Sequence, residues 1–83
     1  MKFYVVTYKL YNDKLLENEW VAGNCYCPSA PGMWSFRLYL KTNIFKFLIS
    51  DGPTLSINDV IDLYWGHKVF GHITVTAIIN ETN

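Results

Sequence analysis

Apolar and polar positions alternate through much of this chain, and a period of two marks strands with one buried face. From Lys2 to Tyr11 the stripe is Tyr4, Val6, Tyr8 and Leu10, in a run rich in β-branched and aromatic residues. Asn12, Asp13 and Lys14 then read as a turn. The next stretch, Leu15 to Ala22, fits two elements. As a strand it places Leu16, Trp20 and Ala22 on one face, and as a short helix it pairs Leu16 with Trp20 at i, i+4. The strand is the favoured reading, pairing back on the first. Gly23 to Met33, punctuated by Gly23, Asn24, Pro28, Ser29, Pro31 and Gly32, reads as a long loop.

The sharpest pattern runs from Trp34 to Ile49, where two alternating segments flank Thr42 and Asn43. A tight turn at those residues sets Lys41 opposite Ile44, Tyr39 opposite Lys46 and Arg37 opposite Leu48. Phe36, Leu38 and Leu40 then share the other face with Phe45, Phe47 and Ile49. Slipping the register by one residue would destroy that partition. A helix through Phe36, Leu40, Ile44, Phe47 and Leu48 is the competing reading. After a turn at Ser50 to Pro53, Ser56 is a suitable N-cap, with Asp59 in the first turn. Ile57, Val60, Ile61 and Tyr64 repeat at helical spacing and Gly66 stands where a helix stops, so an α-helix is predicted between Ser56 and Gly66. The last strand, from about Lys68 to Ile79, carries Gly71, Ile73, Val75, Ala77 and Ile79 on one face. His72, Thr74, Thr76 and Ile78 occupy the other.

The expected fold is therefore α+β: a single antiparallel sheet of four to five strands with one α-helix packed on one face, in the order β, β, loop, β, β, α, β. The 83 residues make a single domain, 1–83, with no internal repeat or linker. A chain this short needs a dense core. Its 51% hydrophobic and 17% aromatic content can supply one and excludes a disordered chain. The sheet face without a helix invites cover by a partner or by a second copy, so a homo-oligomer, a dimer, is expected.

Charge narrows the function classes. Seven basic and seven acidic residues cancel, which argues against a dedicated nucleic-acid surface. No apolar run reaches the roughly 20 residues of a membrane span, and the start of the chain has no leader-like pattern. Two cysteines are too few for a disulfide framework, so a cytoplasmic protein is expected. On that reading the Asn80-Glu81-Thr82 glycosylation triplet is fortuitous.

Candidate chemistry is sparse. Cys25 and Cys27 could join His67 and His72 as a zinc set, but a single intervening residue is too close for paired zinc cysteines. Thiol catalysis with His72 as base lacks a nucleophile elbow or helix start at either cysteine. Asp59 and Asp62 share a face of the predicted helix, and Glu17 and Glu19 alternate like an exposed strand; both pairs read as solvated surface. No metal, cofactor or catalytic residue is assigned, and the chain is not read as an enzyme.

Two surface features remain. Tyr26, Met33 and Trp34 border the long loop, while Trp65, His67 and Phe70 border the end of the predicted helix. Aromatic residues and methionine favour interfaces, so Tyr26, Met33, Trp34 and His67 are the candidate protein-contact residues. Trp34 and Trp65 are read first as core, and Tyr26 as exposed. Separately, no acid occurs from Trp20 to Ser50, and Arg37, Lys41 and Lys46 gather on one hairpin face around Tyr39. These four are candidate anion-binding residues for a nucleotide or similar small ligand. The first expectation is a small non-enzymatic protein that docks on a larger protein and modulates or inhibits it. Phage and mobile-element accessory proteins, including inhibitors of host defence, are a common home for such domains. The alternative is an oligomer that captures an anionic small molecule.

Overall fold

The computed structural model describes residues 2–27, 30–42, 46–50 and 52–80. Six strands, β1 (Lys2–Leu10), β2 (Trp20–Tyr26), β3 (Met33–Tyr39), β4 (Lys46–Ile49), β5 (Val60–Trp65) and β6 (Lys68–Asn80), form a closed barrel. Their order around the wall is β1-β4-β3-β2-β5-β6, and every neighbouring pair is antiparallel. No α-helix occurs among the described residues, so the α+β expectation is overturned.

The predicted helix is instead a turn followed by β5. Asn58 adopts φ 77°, which a helix interior does not accept. The capping chemistry runs the other way: the Asp59 carboxylate accepts the Ser56 N–H at 2.8 Å, and the Asp59 N–H donates to the Ser56 carbonyl at 3.1 Å. Of the helical stripe only Ile61 is buried; Ile57 and Val60 are 55% and 57% exposed. Ile61 and Leu63 point inward at period two, and Leu63 is the position that the 3.6-residue reading had left out. The β-branched Ile57, Val60 and Ile61 lower helix propensity, and so short a helix needs tertiary packing to persist. Gly66 does mark an end, but of a strand. Trp65 pairs with Lys68 across Gly66 and His67, and φ is positive only at Gly66, as in a type II′ hairpin turn.

The early strands also pair differently. β1 lies between β4 and β6, not beside β2. Asn12 accepts the Lys14 N–H at 3.1 Å and caps a short 3-10 helix, Asp13–Glu17, so the strand begins only at Trp20. Val21 and Cys25 face inward while Trp20 is exposed, the reverse of the predicted face. The long loop shrinks because β2 continues through Gly23 to Tyr26. Gly23 is there for close approach: a Cβ would collide with the Tyr64 carbonyl oxygen and lie 3.3 Å from the Phe36 and Phe70 rings. By contrast, the hairpin register holds, with Tyr39 opposite Lys46, Arg37 opposite Leu48, Leu38 opposite Phe47 and Phe36 opposite Ile49. Its predicted turn residue Asn43, with Ile44 and Phe45, lies outside the described residues.

The wall consists of two three-stranded sheets, β2–β3–β4 and β5–β6–β1, joined by short seams. One pairs Tyr4 with Phe47 and Val5 with Lys46; the other pairs Asn24 with Tyr64 and Cys25 with Leu63. Inside, Phe47, Leu38, Ile61, Leu63, Ile73 and Val75 are fully buried. Phe36 stacks on Phe47 and Phe70, with ring centroids 5.2 and 6.1 Å apart. Leu55, from the segment joining β4 to β5, is fully buried among them, and its N–H donates to the Tyr4 hydroxyl at 3.0 Å.

Two irregularities shape β6. Between Val5 and Val6 the partner changes from Ala77 to Val75, leaving Thr76 unmatched, and its hydroxyl donates to the Val5 carbonyl at 2.9 Å. Beyond this bulge Ile78 stands opposite Tyr4 and Ala77 opposite Val5. The alternation of burial nevertheless continues: Gly71, Ile73 and Val75 are buried and Ala77 and Ile79 half-buried, while Thr76 and Ile78 are exposed. The second shift leaves Phe70 unmatched beside Leu63 and Tyr64. No helix among the described residues is long and apolar enough to cross a membrane.

Gly71→Ala should destabilise the barrel by about 1–3 kcal/mol, because its Cβ would lie 2.5 Å from the Lys9 carbonyl oxygen. Tyr4→Phe should cost about 1–3 kcal/mol by stranding the buried Leu55 N–H. Urea unfolding monitored by circular dichroism measures both.

Candidate functional site

The barrel interior is lined by apolar side chains and two thiols. Cys25 and Cys27 are buried, and the Cys25 Sγ donates to the Trp34 carbonyl at 3.4 Å. Burial, reinforced by the charge and hydrogen bond of neighbouring Cys27, pushes the Cys25 thiol up to about 12. Burial also raises Cys27, helped by the Asp59 carboxylate and opposed by its hydrogen bond with Cys25. Only a thiolate attacks or ligates effectively, so both groups are held in their inert form near neutral pH.

The other residues weighed for chemistry are dispersed. His72 sits on the wall between Lys9 and Asp62, its Nδ1 2.9 Å from the Tyr11 hydroxyl, while His67 lies in the β5–β6 turn. Among the described residues no three His, Cys, Asp or Glu side chains converge on a metal position. Asp59 and Asp62 do not share a helical face: Asp59 closes the turn onto Ser56, and Asp62 stands on β5 opposite His72. Glu17 belongs to the 3-10 helix and Glu19 to the exposed link that follows.

The four protein-contact candidates fall at two ends of the barrel. Tyr26 and Met33 are exposed cross-strand partners where β2 passes to β3. Trp34, opposite Cys25, is half-buried against the core, with its Nε1–H buried and unpartnered. His67 is at the far end, because β5 runs antiparallel to β2 and its last residues approach the start of that strand. There the structure builds something the sequence reading missed. An open groove of about 710 Å³ runs between Trp20 and Trp65, with Val21, Val69 and Phe70 among its apolar walls and Tyr11 and Lys68 at its margin. Trp65 was expected in the core, yet it is 71% exposed, and Trp20 is 43% exposed. Sequence signals for both existed: Trp20 directly follows the polar run Glu17-Asn18-Glu19, and Trp65 abuts Gly66.

The anion-binding candidates stay closer together. Arg37, Tyr39 and Lys46 lie on the outer wall of β3 and β4, with Tyr39 paired to both Trp20 and Lys46. The Arg37 guanidinium rests 4.2 Å from the Trp20 ring centroid, and the Lys46 ammonium 4.9 Å from that of Phe3. Lys41 is drawn away, its ammonium donating to the Glu17 carbonyl at 2.6 Å. Arg37 and Tyr39 border a hollow of about 460 Å³, with Ser35, Leu48 and Ser50.

Comparison with family models, with curated proteins and with solved structures finds no match, so the site's own geometry has to carry the functional reading.

The raised thiols imply a pH dependence with a definite sign. Between the ordinary value of 9.0 and about 12, an unfolded Cys25 loses its proton while the folded one keeps it. Stability present below that window is therefore lost as pH rises through it, by at most about 1.4 kcal/mol per pH unit for this group. Chemical denaturation at pH 8, 9.5 and 10.5 should show a shallower decline for Cys25→Ala than for the parent chain.

Proposed function

We propose that this protein is a small non-enzymatic binding module that docks on a larger protein and modulates or inhibits it, with the Trp20–Trp65 groove as its contact surface. The exposure of two tryptophans on a closed barrel carries this reading. An isolated exposed apolar residue is ordinary, but two indoles flanking an apolar groove form the kind of rigid aromatic anchor that dominates binding energy. Each stands in a strand, so little conformational freedom remains to be lost on contact. The interior supports the same conclusion by subtraction, since its reactive groups are protonated and enclosed. Such a module fits an accessory protein of a phage or mobile element, and host-defence proteins are the class in which its partner is first sought.

The reading also moves the contact from one end of the molecule to the other. Tyr26 and Met33 flank the β2–β3 connection, whereas Trp20, Trp65 and Tyr11 gather at the opposite end with His67 nearby in sequence. The earlier reason for expecting a second copy, an uncovered sheet face, disappears when the sheet closes on itself.

Affinity capture from the native host with tagged parent protein and with Trp20→Ala, Trp65→Ala and Tyr26→Ala, read by mass spectrometry, tests this. Trp65→Ala should weaken the captured complex roughly thirtyfold or more. Its unfolding free energy should change by less than about 0.5 kcal/mol, since the side chain is largely exposed. Tyr26→Ala should retain the partner. A complex that survives Trp20→Ala and Trp65→Ala but is lost with Tyr26→Ala would place the contact at the other end.

A further inference from the structure

We infer that the hollow on the outer wall of β2, β3 and β4 is a second site: an anion pocket centred on Arg37 that takes the phosphate of a nucleotide-class small molecule. The charge pattern is one-sided. All three strands fall within Trp20 to Ser50, a stretch with no acidic residue, so no carboxylate of its own sheet competes for the guanidinium. Among the described residues Arg37 has no ion-pair or hydrogen-bond partner; its recorded contact is the indole of Trp20, 4.2 Å away. Stacking restrains the side chain while consuming none of its N–H donors. A guanidinium held in this way is a fork already organised for a bidentate oxyanion.

Hydroxyls complete the pocket. Ser35 and Ser50 both line it, and the Ser50 N–H donates to the Ser35 carbonyl at 3.0 Å, which pins the two residues side by side. Tyr39 and Leu48 add apolar wall on neighbouring strands, Leu48 directly opposite Arg37. Oxyanion donors beside an aromatic and an aliphatic surface suit a phosphate that carries a planar base better than a bare inorganic ion. A volume of about 460 Å³ suits a small ligand. A polynucleotide would need a track of several phosphate contacts, whereas this face offers one arginine with Lys46 nearby on a chain of zero net charge.

Isothermal titration calorimetry of the whole chain with AMP, adenosine, inorganic phosphate and a twelve-residue oligothymidine tests the assignment. AMP should bind, and adenosine should bind at least tenfold more weakly. Arg37→Ala should weaken AMP at least tenfold, as expected for loss of a charge-assisted hydrogen bond. Arg37→Lys should also weaken it, because a point charge lacks the fork and the stack. Ser35→Glu, on an exposed position, should abolish binding by placing a carboxylate beside Arg37. Trp65→Ala should leave AMP affinity unchanged, which separates this pocket from the docking groove. Circular dichroism melts confirm that each variant is folded. The proposal is overturned if AMP gives no heat at millimolar concentration or binds Arg37→Ala as well as the parent. Phosphate binding as tightly as AMP overturns the nucleotide assignment, and tighter binding of the oligothymidine overturns the small-molecule one.

Discussion

Closure of the sheet is the constraint on which the rest of the molecule depends. An open sheet of this size would leave unpaired N–H and C=O groups along two edges and one face without cover; closure removes the edges and turns one face into the core. The seams that achieve it are short, each recorded as two residue pairs, and they bring β1 to β4 and β2 to β5. Bending so few strands into a ring forces the backbones close together. Gly23 and Gly71 stand where a Cβ would strike the carbonyl oxygen of a neighbouring strand, and the bulge at Thr76 tightens the wall further. Leu55 adds a buried side chain from outside the strands, and its exchange with the Tyr4 hydroxyl satisfies a backbone group that would otherwise be buried without a partner.

The same closure sorts the side chains by chemistry. Inward positions hold aliphatic and aromatic groups and two thiols whose ionisation is suppressed, so the interior is a packed core. Both proposed contact surfaces lie on the outside of the barrel. There, one end carries the indole-flanked groove, and the β2–β3–β4 face carries Arg37 on its indole support. Trp20 belongs to both: it flanks the groove and backs the guanidinium. That shared residue makes the two surfaces neighbours, although their other walls come from different strands.

Legibility differed from segment to segment for physical reasons. The pairing of Phe36 to Tyr39 with Lys46 to Ile49 was readable in register because the alternation is strict on both segments and the partners are close in sequence. Between Ser56 and Gly66 the apolar residues satisfied both a 3.6 and a 2.0 period in part. Leu63 was the deciding position, and its weight is visible only once β6 is in place beside it. Trp20 was grouped with Leu16 and Ala22 on one face, when it is the adjacent Val21 that is buried. Of the four contact candidates, Tyr26 and Met33 proved to be exposed neighbours; Trp65, outside that set, was missed because it was read first as core. The basic face was legible through Arg37, Tyr39 and Lys46, whereas the pull of the Glu17 carbonyl on Lys41 was not.

By itself, then, the sequence determined the strands that alternate strictly, the register of the hairpin and the absence of acid from one stretch of wall. Those properties depend on neighbours a few residues apart. Only the tertiary structure decided that β1 joins β6, with Lys2 opposite Asn80, that the segment before Gly66 is a strand, and that two tryptophans face outward. Pairings across nearly the whole chain cost loop entropy that no local pattern reveals, and they are recovered only when the last seam closes and the entire inner face leaves water together.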